Sequence, residues 1–283
     1  MKDDTIKNDA LLTIDSIRKS FFRKTINIRG KDEQERCWVL ENINLLVPKG
    51  KVTALIGGNG AGKTTLFNII SGFYKADDGT ISFRTNGSME PITGLQPHLI
   101  ARAGIGRMFQ DNHIFQNMTV MENMLIADES RFGEEPFESI LRYKKNGLLE
   151  KKRVQKAEGI FDDLFGAGNP FLKLRNEKAK NLSFGQQRLL GLARLLMGNY
   201  RLLLLDEPTS GVNRDIIEKI KEIVIKCFVE IKGFTIFLIE HNFEFVKEVS
   251  DFCHFMSNRS IAVSGTPDDI IGNPEVRKKY LGI

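Results

Sequence analysis

Nearly unbroken apolar runs mark three segments of the chain as strands that are buried on both faces of a sheet. These runs are VTALIG at 52–57, LLLLD at 202–206 and FTIFLIE at 234–240. Two further apolar runs, LLTIDSI at 11–17 and VLENINLLV at 39–47, also indicate strands. The hydrophobic pattern therefore predicts a sheet whose central strands are fully buried.

Apolar residues at helical spacing follow two of these strands. A helix predicted at 64–71 continues from a glycine-rich loop and stops at Gly72, which is typical of a C-terminal cap. A second helix is predicted at 216–231. Strands that alternate with helices are typical of an α/β fold with a largely parallel sheet.

Two segments depart from this alternation. From about 118 to 182 the strand patterns vanish and helical periods take over, which predicts an inserted helical subdomain. Within it, residues 142–156 carry seven Lys or Arg against one Glu. Such a cluster is most often a solvated helix face, and attraction to lipid or an acidic partner is the alternative. Residues 23–37 are polar without periodicity and predict a long loop between the first two strands.

Composition indicates an ordinary globular protein, with 41% hydrophobic and 27% charged residues among 283. The N-terminus is polar, and no apolar run approaches the ~20 residues of a membrane-spanning helix, so we expect a soluble chain. Cys37, Cys227 and Cys253 lack metal-ligand spacing and are expected to be buried or idle thiols in a reducing cytosol. The net charge of +5 is compatible with anionic lipid or nucleic acid and selects neither.

The loop GGNGAGKT follows a predicted strand and opens a predicted helix, which is the context required of the pattern G-x-x-x-x-G-K-[ST]. Glycines permit positive φ, so successive N–H groups point inward and form an anion nest at the helix N-terminus. Lys63 would then reach the β- and γ-phosphates of a nucleotide, and the Thr64 hydroxyl would ligate Mg²⁺. The alternative is a tight turn with an exposed lysine. The predicted phosphate-binding residues are Gly57, Gly58, Asn59, Gly60, Ala61, Gly62, Lys63, Thr64 and Thr65.

A carboxylate pair ends the buried strand in RLLLLDEPTS at 201–210. We assign Asp206 to the Mg²⁺ shell and Glu207 to polarising a water beside the γ-phosphate. The alternative is an acidic pair that merely ends a core strand.

A second phosphate-binding helix end is predicted in NLSFGQQRLLGLARLLM at 181–197. Ser183 and Gln186 stand at capping-box spacing, which by itself indicates only the start of a helix. Together with Gly185, this exposed N-terminus is also suited to bind phosphate. Two such ends in one chain imply a shared nucleotide.

The sequence here resembles the nucleotide-binding subunit of an ATP-binding cassette (ABC) transporter, from about residue 11 to 283. GGNGAGKTT resembles the family's Walker A loop, LSFGQQ its signature and LLLLDEP its Walker B strand with the following glutamate. Gln110 in GRMFQ is similar to the Q-loop glutamine, His241 in LIEHN to the switch histidine, and Phe21 in RKSFF to the aromatic that stacks on adenine.

The resemblance implies a single domain over 1–283 with a P-loop NTPase (RecA-like) core sheet, an antiparallel β subdomain and an inserted all-α subdomain. The core and the β subdomain would comprise 1–117 and 183–283, and the helices 118–182. It also implies ATP and Mg²⁺ as cofactors, with Lys63, Gln110, Glu207 and His241 in catalysis. Nucleotide contacts would come from Phe21, the Walker A loop, Gln110, Ser183, Gly185, Gln186 and His241, and metal contacts from Thr64, Gln110 and Asp206.

The resemblance further implies partners. Two ATP-binding subunits, identical or different, would dimerise head to tail, with each ATP between Lys63 of one chain and Ser183 and Gly185 of the other. Transmembrane permease subunits would bind the helical insert, and an extracytoplasmic solute-binding protein would act through them. The chain would then lie peripherally on the cytoplasmic face of the inner (plasma) membrane, without a nucleic-acid partner.

A narrower resemblance is to the ATPases of branched-chain amino acid importers, with urea-import and lipopolysaccharide-export ATPases as relatives of that branch. It is carried by ITGLQPHLIARAGIGRMFQ at 92–110, MTVMENMLIA at 118–127, SFGQQR and the tail GTPDDIIGNPEVRKKYLG at 265–282. Three features depart from the pattern. Gly58 replaces the usual proline or serine, Asn213 replaces a common aspartate, and 23–37 exceeds the usual first hairpin, so that either Phe21 or Phe22 is the stacking residue.

Two other function classes fit parts of the sequence. A soluble ABC ATPase acting on DNA or ribosomes is permitted by the basic pI of about 9.0, but such proteins resemble tandem cassettes or carry long coiled coils. A P-loop kinase would leave the LSFGQQ helix end and His241 without a role.

Overall fold

A computed structural model describes residues 9–26, 32–85, 87–111, 113–128 and 143–278. Its strands are β1 (Ala10–Ile26), β2 (Asp32–Pro48), β3 (Val52–Gly57), β4 (Asp78–Thr85), β5 (Ser88–Pro91), β6 (Ile105–Met108), β7 (Leu202–Asp206), β8 (Thr235–Ile239), β9 (Phe252–Ser257) and β10 (Ser260–Gly265). Its α-helices are α1 (Lys63–Ile70), α2 (Pro97–Ala103), α3 (Val120–Leu125), α4 (Tyr143–Phe165), α5 (Pro170–Lys173), α6 (Phe184–Leu195), α7 (Arg214–Glu222), α8 (Phe243–Val249), α9 (Pro267–Gly272) and α10 (Pro274–Val276).

The central sheet has six strands within the described ranges, in the order β10-β9-β3-β8-β7-β6. All neighbouring pairs are parallel except β10 with β9. Every residue of β3, β7 and β8 is buried, as their unbroken apolar sequences predict. The strands predicted at 52–57 and 202–206 are confirmed with the same bounds, and the α/β fold class is confirmed with them.

The two faces of this sheet contact separate cores, because side chains alternate along a strand. Leu203 and Leu205 belong to a cluster that includes α6 and α4. Leu202 and Leu204 belong to a second cluster with β1, β2 and α1. The sheet is therefore covered on both sides, by helices on one and by the antiparallel strands and α1 on the other.

A second, antiparallel sheet has the order β2-β1-β4-β5 among the described residues. The long loop predicted at 23–37 is wrong for residues 23–26 and 32–37, because β1 and β2 pair antiparallel from Ala10↔Pro48 to Ile26↔Asp32. The rest of that prediction, at 27–31, lies outside the described residues. Phe22, Arg23 and residues 34–36 are exposed, so no buried face imposes an apolar period on this part of the strand pair. Arg23 and Glu35 are direct cross-strand partners in this part of the sheet.

Helices account for most of the segment 118–182 in its described part. Its two ends adjoin through an isolated bridge between Thr119 and Lys178, as expected of an insertion that leaves and rejoins the core at one place. Two members of the basic cluster at 142–156 are used in packing. Arg153 lies 2.9 Å from Asp128, and Lys156 donates to the Met197 carbonyl at 2.6 Å. The subdomain boundaries at 118 and 182 remain a prediction.

Both predicted helices are present. The helix at 64–71 is confirmed as α1, with Ser71 as its C-cap and Gly72 at φ 78° directly after it. The helix at 216–231 begins earlier, as α7, and continues in π-helical turns through Ile223–Ile231. Asn213 caps α7 by accepting from the Ile216 N–H at 3.0 Å, so the residue that replaces the common aspartate still serves as an N-cap.

The structure also bears on two predictions from composition, those for membrane-spanning helices and for the cysteines. Among the helices described, none is long and apolar enough to cross a bilayer. Cys253 is fully buried in β9, and burial raises its pKa to about 12, whereas Cys37 is only half-buried. The side chain of Cys227 lies outside the described residues.

Candidate active site

The carboxyl ends of β3, β6, β7 and β8 meet at one edge of the central sheet, which is where ligands bind in open α/β sheets. The glycine-rich loop follows β3 and Gln110 follows β6. Glu207 follows β7, and His241 comes two residues after β8. Residues that are far apart in sequence therefore lie together because their strands are neighbours.

The glycine-rich loop has glycine where other side chains would not fit. Gly62 has φ 105°, and a Cβ there would lie 2.6 Å from Cδ2 of Leu40. A Cβ on Gly57 would collide with the Met256 carbonyl. Gly58 differs, because it does not adopt positive φ and has open space around its Cα. Its departure from the family pattern therefore leaves the shape of the loop intact.

Lys63 is only 6% exposed and lies at the first position of α1. Its Nζ donates to the carbonyls of Gly57 at 2.7 Å and Gly58 at 3.0 Å. Burial lowers the pKa of Lys63, and the charges of Glu207 and Asp206 oppose that shift. The lysine is thus a buried cation between the loop and the two carboxylates.

Asp206 is 1% exposed, and its two oxygens have different environments. Oδ2 accepts from the Arg107 guanidinium at 2.9 Å, and the same guanidinium donates to Asn68 on α1 and to its C-cap residue Ser71. Oδ1 is buried and has no hydrogen-bond partner among the described residues. Burial raises the pKa of Asp206 above its usual value, and the adjacent Arg107 opposes that shift. A buried carboxylate oxygen without a partner is suited to a cation or its bound water.

Glu207 lies at the centre of the predicted site. Its Oε2 accepts from Nε2 of Gln110 at 2.8 Å. Its Oε1 lies 3.0 Å from Nε2 of His241, so that nitrogen carries the hydrogen when the carboxylate is ionised. Glu207 itself has φ 47°, in the left-handed region that is uncommon for residues other than glycine. Three predicted site residues are therefore in direct contact.

The predicted signature residues lie at the start of α6. Ser183 Oγ accepts from the Gln186 N–H at 3.3 Å, and Gln186 Oε1 accepts from the Ser183 N–H at 2.9 Å. A Cβ on Gly185 would lie 2.8 Å from Ile216 on α7. Across the described ranges, no hydrogen bond joins this helix end to Lys63. One chain brings together only part of the predicted site.

Phe21 and Phe22 differ in how firmly they are held. The Phe21 ring packs edge-on against Tyr74 at 5.5 Å, with Nζ of Lys19 5.2 Å from its centroid. Phe22 is 69% exposed, against 38% for Phe21. A ring fixed by neighbours presents its face at a lower entropic cost, which favours Phe21 as the stacking residue.

Sequence reasoning missed three residues at this edge of the sheet, namely Arg107, Arg188 and Glu240. Glu240 had a visible signal, since it is a charged residue that ends a buried strand directly before His241. Arg107 and Arg188 had none, because arginines are usually exposed and only packing shows that these two are enclosed.

Comparison with known proteins agrees with this geometry. The family model described as ABC transporter matches residues 40–210, more than half of the chain. A probable branched-chain amino acid transport ATP-binding protein, LivG of Archaeoglobus fulgidus, is 39% identical over 86% of this chain and 89% of its own. The high-affinity branched-chain amino acid transport ATP-binding protein BraF of Pseudomonas aeruginosa is 35% identical over 86% and 91%.

A solved structure supports the same assignment. A nucleotide-free ATP-binding cassette from an ABC transporter superposes with a TM-score of 0.75 at 32% identity, covering 97% of this chain and 100% of that one. The chain therefore belongs to the ABC transporter family, and it is an ATP-binding subunit that hydrolyses ATP.

Proposed function

We propose that this chain supplies the energy for import of a small solute through partner membrane subunits. The proposed solutes are branched-chain amino acids. The role in ATP hydrolysis is supported by the contacts of Glu207 with both Gln110 and His241, beside the buried cation of Lys63. The solute class rests on the relatives named above and on the importer-like tail at 265–282. ATPases of urea import and lipopolysaccharide export are the related alternatives.

The glycine-rich loop between β3 and α1 would bind the phosphates of ATP. Its backbone N–H groups and the positive end of α1 would hold the anionic oxygens. Nζ of Lys63, which now donates to the Gly57 and Gly58 carbonyls, would turn its donors to the β- and γ-phosphates. Phe21 would stack on the adenine.

Mg²⁺ fits the donor set of this site. The unpartnered Oδ1 of Asp206, the Thr64 hydroxyl at the start of α1 and the Gln110 side chain would hold the ion or its water shell. When bound, the ion neutralises charge on the phosphates. Arg107 keeps the other oxygen of Asp206 occupied, which fixes the direction in which Oδ1 points.

Glu207 would accept the proton of the attacking water, because its carboxylate is already oriented by one donor on each oxygen. His241 would exchange its bond to Glu207 for one to the γ-phosphate, since an Nε2–H donor serves either acceptor. Gln110 would report the presence of the γ-phosphate to the helical segment that follows it. These side chains therefore supply orientation and proton transfer at β6, β7 and β8.

The remaining part of the site would come from a second ATP-binding subunit, identical to this one or different. Ser183, Gly185 and Gln186 are exposed or half-buried residues at the N-terminal end of α6, where the helix dipole is positive. A γ-phosphate held by Lys63 of one subunit would complete this helix end on the other. Hydrolysis removes that shared charge, and the two subunits then separate.

Membrane partners follow from the same proposal. Permease subunits would contact the helical segment 118–182, and an extracytoplasmic solute-binding protein would act through them. The chain would lie peripherally on the cytoplasmic face of the membrane. A nucleic-acid partner is not expected.

Sedimentation of the Glu207→Gln variant tests the shared site. With millimolar Mg-ATP we expect a dimer, and with Mg-ADP a monomer. Adding Ser183→Arg should abolish the dimer while leaving ATP bound, because it changes only the helix end offered to the other subunit. A variant that stays monomeric with Mg-ATP, even with its permease present, would refute the proposal.

The solute class is tested by purifying the membrane complex that contains this chain and reconstituting it in liposomes with its solute-binding protein. Leucine, isoleucine or valine should stimulate ATP hydrolysis, and urea should not. Stimulation by urea alone would assign the chain to that related system. A parallel filter-binding assay with DNA and ribosomes should show no ATP-dependent retention, and retention would favour the soluble class.

A further inference from the structure

The turn Glu207–Pro208–Thr209 carries the carboxylate that contacts Gln110 and His241. Its first residue has φ 47°, a left-handed conformation that is unfavourable for a residue with a side chain. Such a conformation persists only where surrounding contacts fix it from several sides. Two buried side chains, Arg188 and Glu240, supply contacts of this kind.

Arg188 on α6 is one of them. It is fully buried, and its guanidinium donates to carbonyl oxygens of both loops that flank the site. Nε donates to Pro208 at 3.0 Å, and Nη2 donates to Glu207. Nη1 donates to Gln110 at 2.6 Å and Phe109 at 3.2 Å. One rigid, planar group therefore joins the turn after β7 to the loop after β6.

Glu240 holds the other side of the turn. It is 2% exposed, and its Oε1 accepts from the N–H of Thr209 at 2.8 Å and from its hydroxyl at 2.7 Å. Oε2 accepts from the N–H groups of His241 at 3.0 Å and Asn242 at 3.2 Å. The same carboxylate thus fixes the end of the turn and the backbone of His241.

Taken together, the backbone on both sides of the Glu207 carboxylate is anchored. The Glu207 carbonyl and the Thr209 N–H are bound by Arg188 and Glu240, and the Glu207 N–H donates to Ile239 at 2.9 Å. The two residues that orient the carboxylate are anchored by the same pair, Gln110 through its carbonyl and His241 through its N–H.

We propose that Arg188 and Glu240 are positioning residues for ATP hydrolysis, which hold Glu207, Gln110 and His241 in one arrangement without touching the nucleotide themselves. This inference rests on the role of Glu207 proposed above. Neither residue belongs to the loop that binds the phosphates, so their loss should affect turnover and leave nucleotide binding intact.

Arg188→Lys and Glu240→Gln in the full chain test this directly. Lysine keeps the charge but lacks the planar fork that reaches both loops, and glutamine keeps the shape but has only one acceptor oxygen. We expect kcat to fall about 10- to 100-fold in each variant through misplacement of the reacting groups. The Kd for a fluorescent ATP analogue should stay unchanged. Arg175→Lys, in an exposed ion pair with Glu158, is the matched control and should leave kcat and Kd unchanged.

A double-mutant comparison separates positioning from a general loss of structure. In the Glu207→Gln background, adding Arg188→Lys or Glu240→Gln should cause no further loss of hydrolysis, because the residue they position is already inactive. The inference would be overturned if each added substitution lowered kcat of the Glu207→Gln variant by the same factor as it lowers kcat of the native chain. It would also be overturned if both single variants lost kcat and ATP affinity to the same extent. Normal kcat in both would do the same. Normal turnover in Glu207→Gln alone would instead refute the proposed role of Glu207.

Discussion

His241 Nε2 lies 3.0 Å from Oε1 of Glu207, while Gln110 Nε2 lies 2.8 Å from Oε2 of the same carboxylate. Each oxygen therefore has its own donor, and the two donors come from the loops after β8 and β6. This arrangement fixes the orientation of the Glu207 carboxylate.

Glu207→Gln should lower the rate of ATP hydrolysis by ~10² or more and preserve ATP binding, because an amide does not accept the proton of the attacking water. Phosphate release and a titration with a fluorescent ATP analogue measure the two properties. Glu222→Gln, in an exposed pair with Lys219, is the control for removal of one charge. Near-normal turnover of the Glu207 variant would remove this residue from its role.

Lys63→Ala should abolish measurable nucleotide affinity, since it removes the buried cation at the base of the glycine loop. The same fluorescent titration serves as the measurement. Lys51→Ala removes an exposed cation that pairs with Asp251 and should bind ATP normally. If Lys63→Ala binds as tightly as the native chain, the assignment of this loop to phosphate is wrong.

Replacing two glycines of this loop by alanine should change the free energy of unfolding in opposite directions. Gly62→Ala introduces a Cβ at φ 105° against Leu40, so the free energy of unfolding should fall by more than about 1 kcal/mol. Gly58→Ala has open space and no positive φ, so it should raise that free energy by about 0.4–1 kcal/mol. Urea unfolding of both variants provides the measurement. Equal effects would contradict the loop geometry described above.

Phe21→Ala should weaken ATP binding by about 1–3 kcal/mol, the usual contribution of a base stacked on an aromatic ring. Phe22→Ala should have little effect on ATP binding, because this ring is 69% exposed and is less firmly held than Phe21. Titrations with ATP and with inorganic triphosphate isolate the contribution of the adenosine part, and Phe21→Ala should weaken only the binding of ATP. A larger loss for Phe22→Ala would reverse the assignment.

His254 should make stability depend on pH. It is 3% exposed between Ser264 and the Leu46 carbonyl, and burial lowers its pKa from 6.5 to about 4. Between these two values the unfolded chain binds a proton that the folded chain does not, so stability is full above pH 6.5 and is lost as pH falls toward 4. The loss corresponds to about 3 kcal/mol.

The His254→Gln variant provides the comparison. Its free energy of unfolding, measured by urea at several pH values, should vary less steeply between pH 4 and 6.5 than that of the native chain. Parallel curves for the two proteins would show that this histidine does not titrate on unfolding.

The sequence alone predicted the strands whose burial is visible as a continuous run of apolar residues. The runs at 52–57 and 202–206 predicted β3 and β7 with the correct bounds, because strands buried on both faces need apolar residues at every position. The strand pairing at 23–26 and 32–37 was missed for the converse reason. Arg23 and residues 34–36 are exposed, so no buried face imposed an apolar period on the sequence there.

Motif spacing by itself determined which residue types form the candidate site, since phosphate, metal and proton transfer each require particular donors. Only the tertiary structure decided how these donors are held. The parallel order of β6, β7 and β8 places Gln110, Glu207 and His241 together, and packing encloses Arg188 and Glu240 behind them. A buried charge is stable only where hydrogen-bond partners from distant segments surround it, and those partners exist only once the chain has folded.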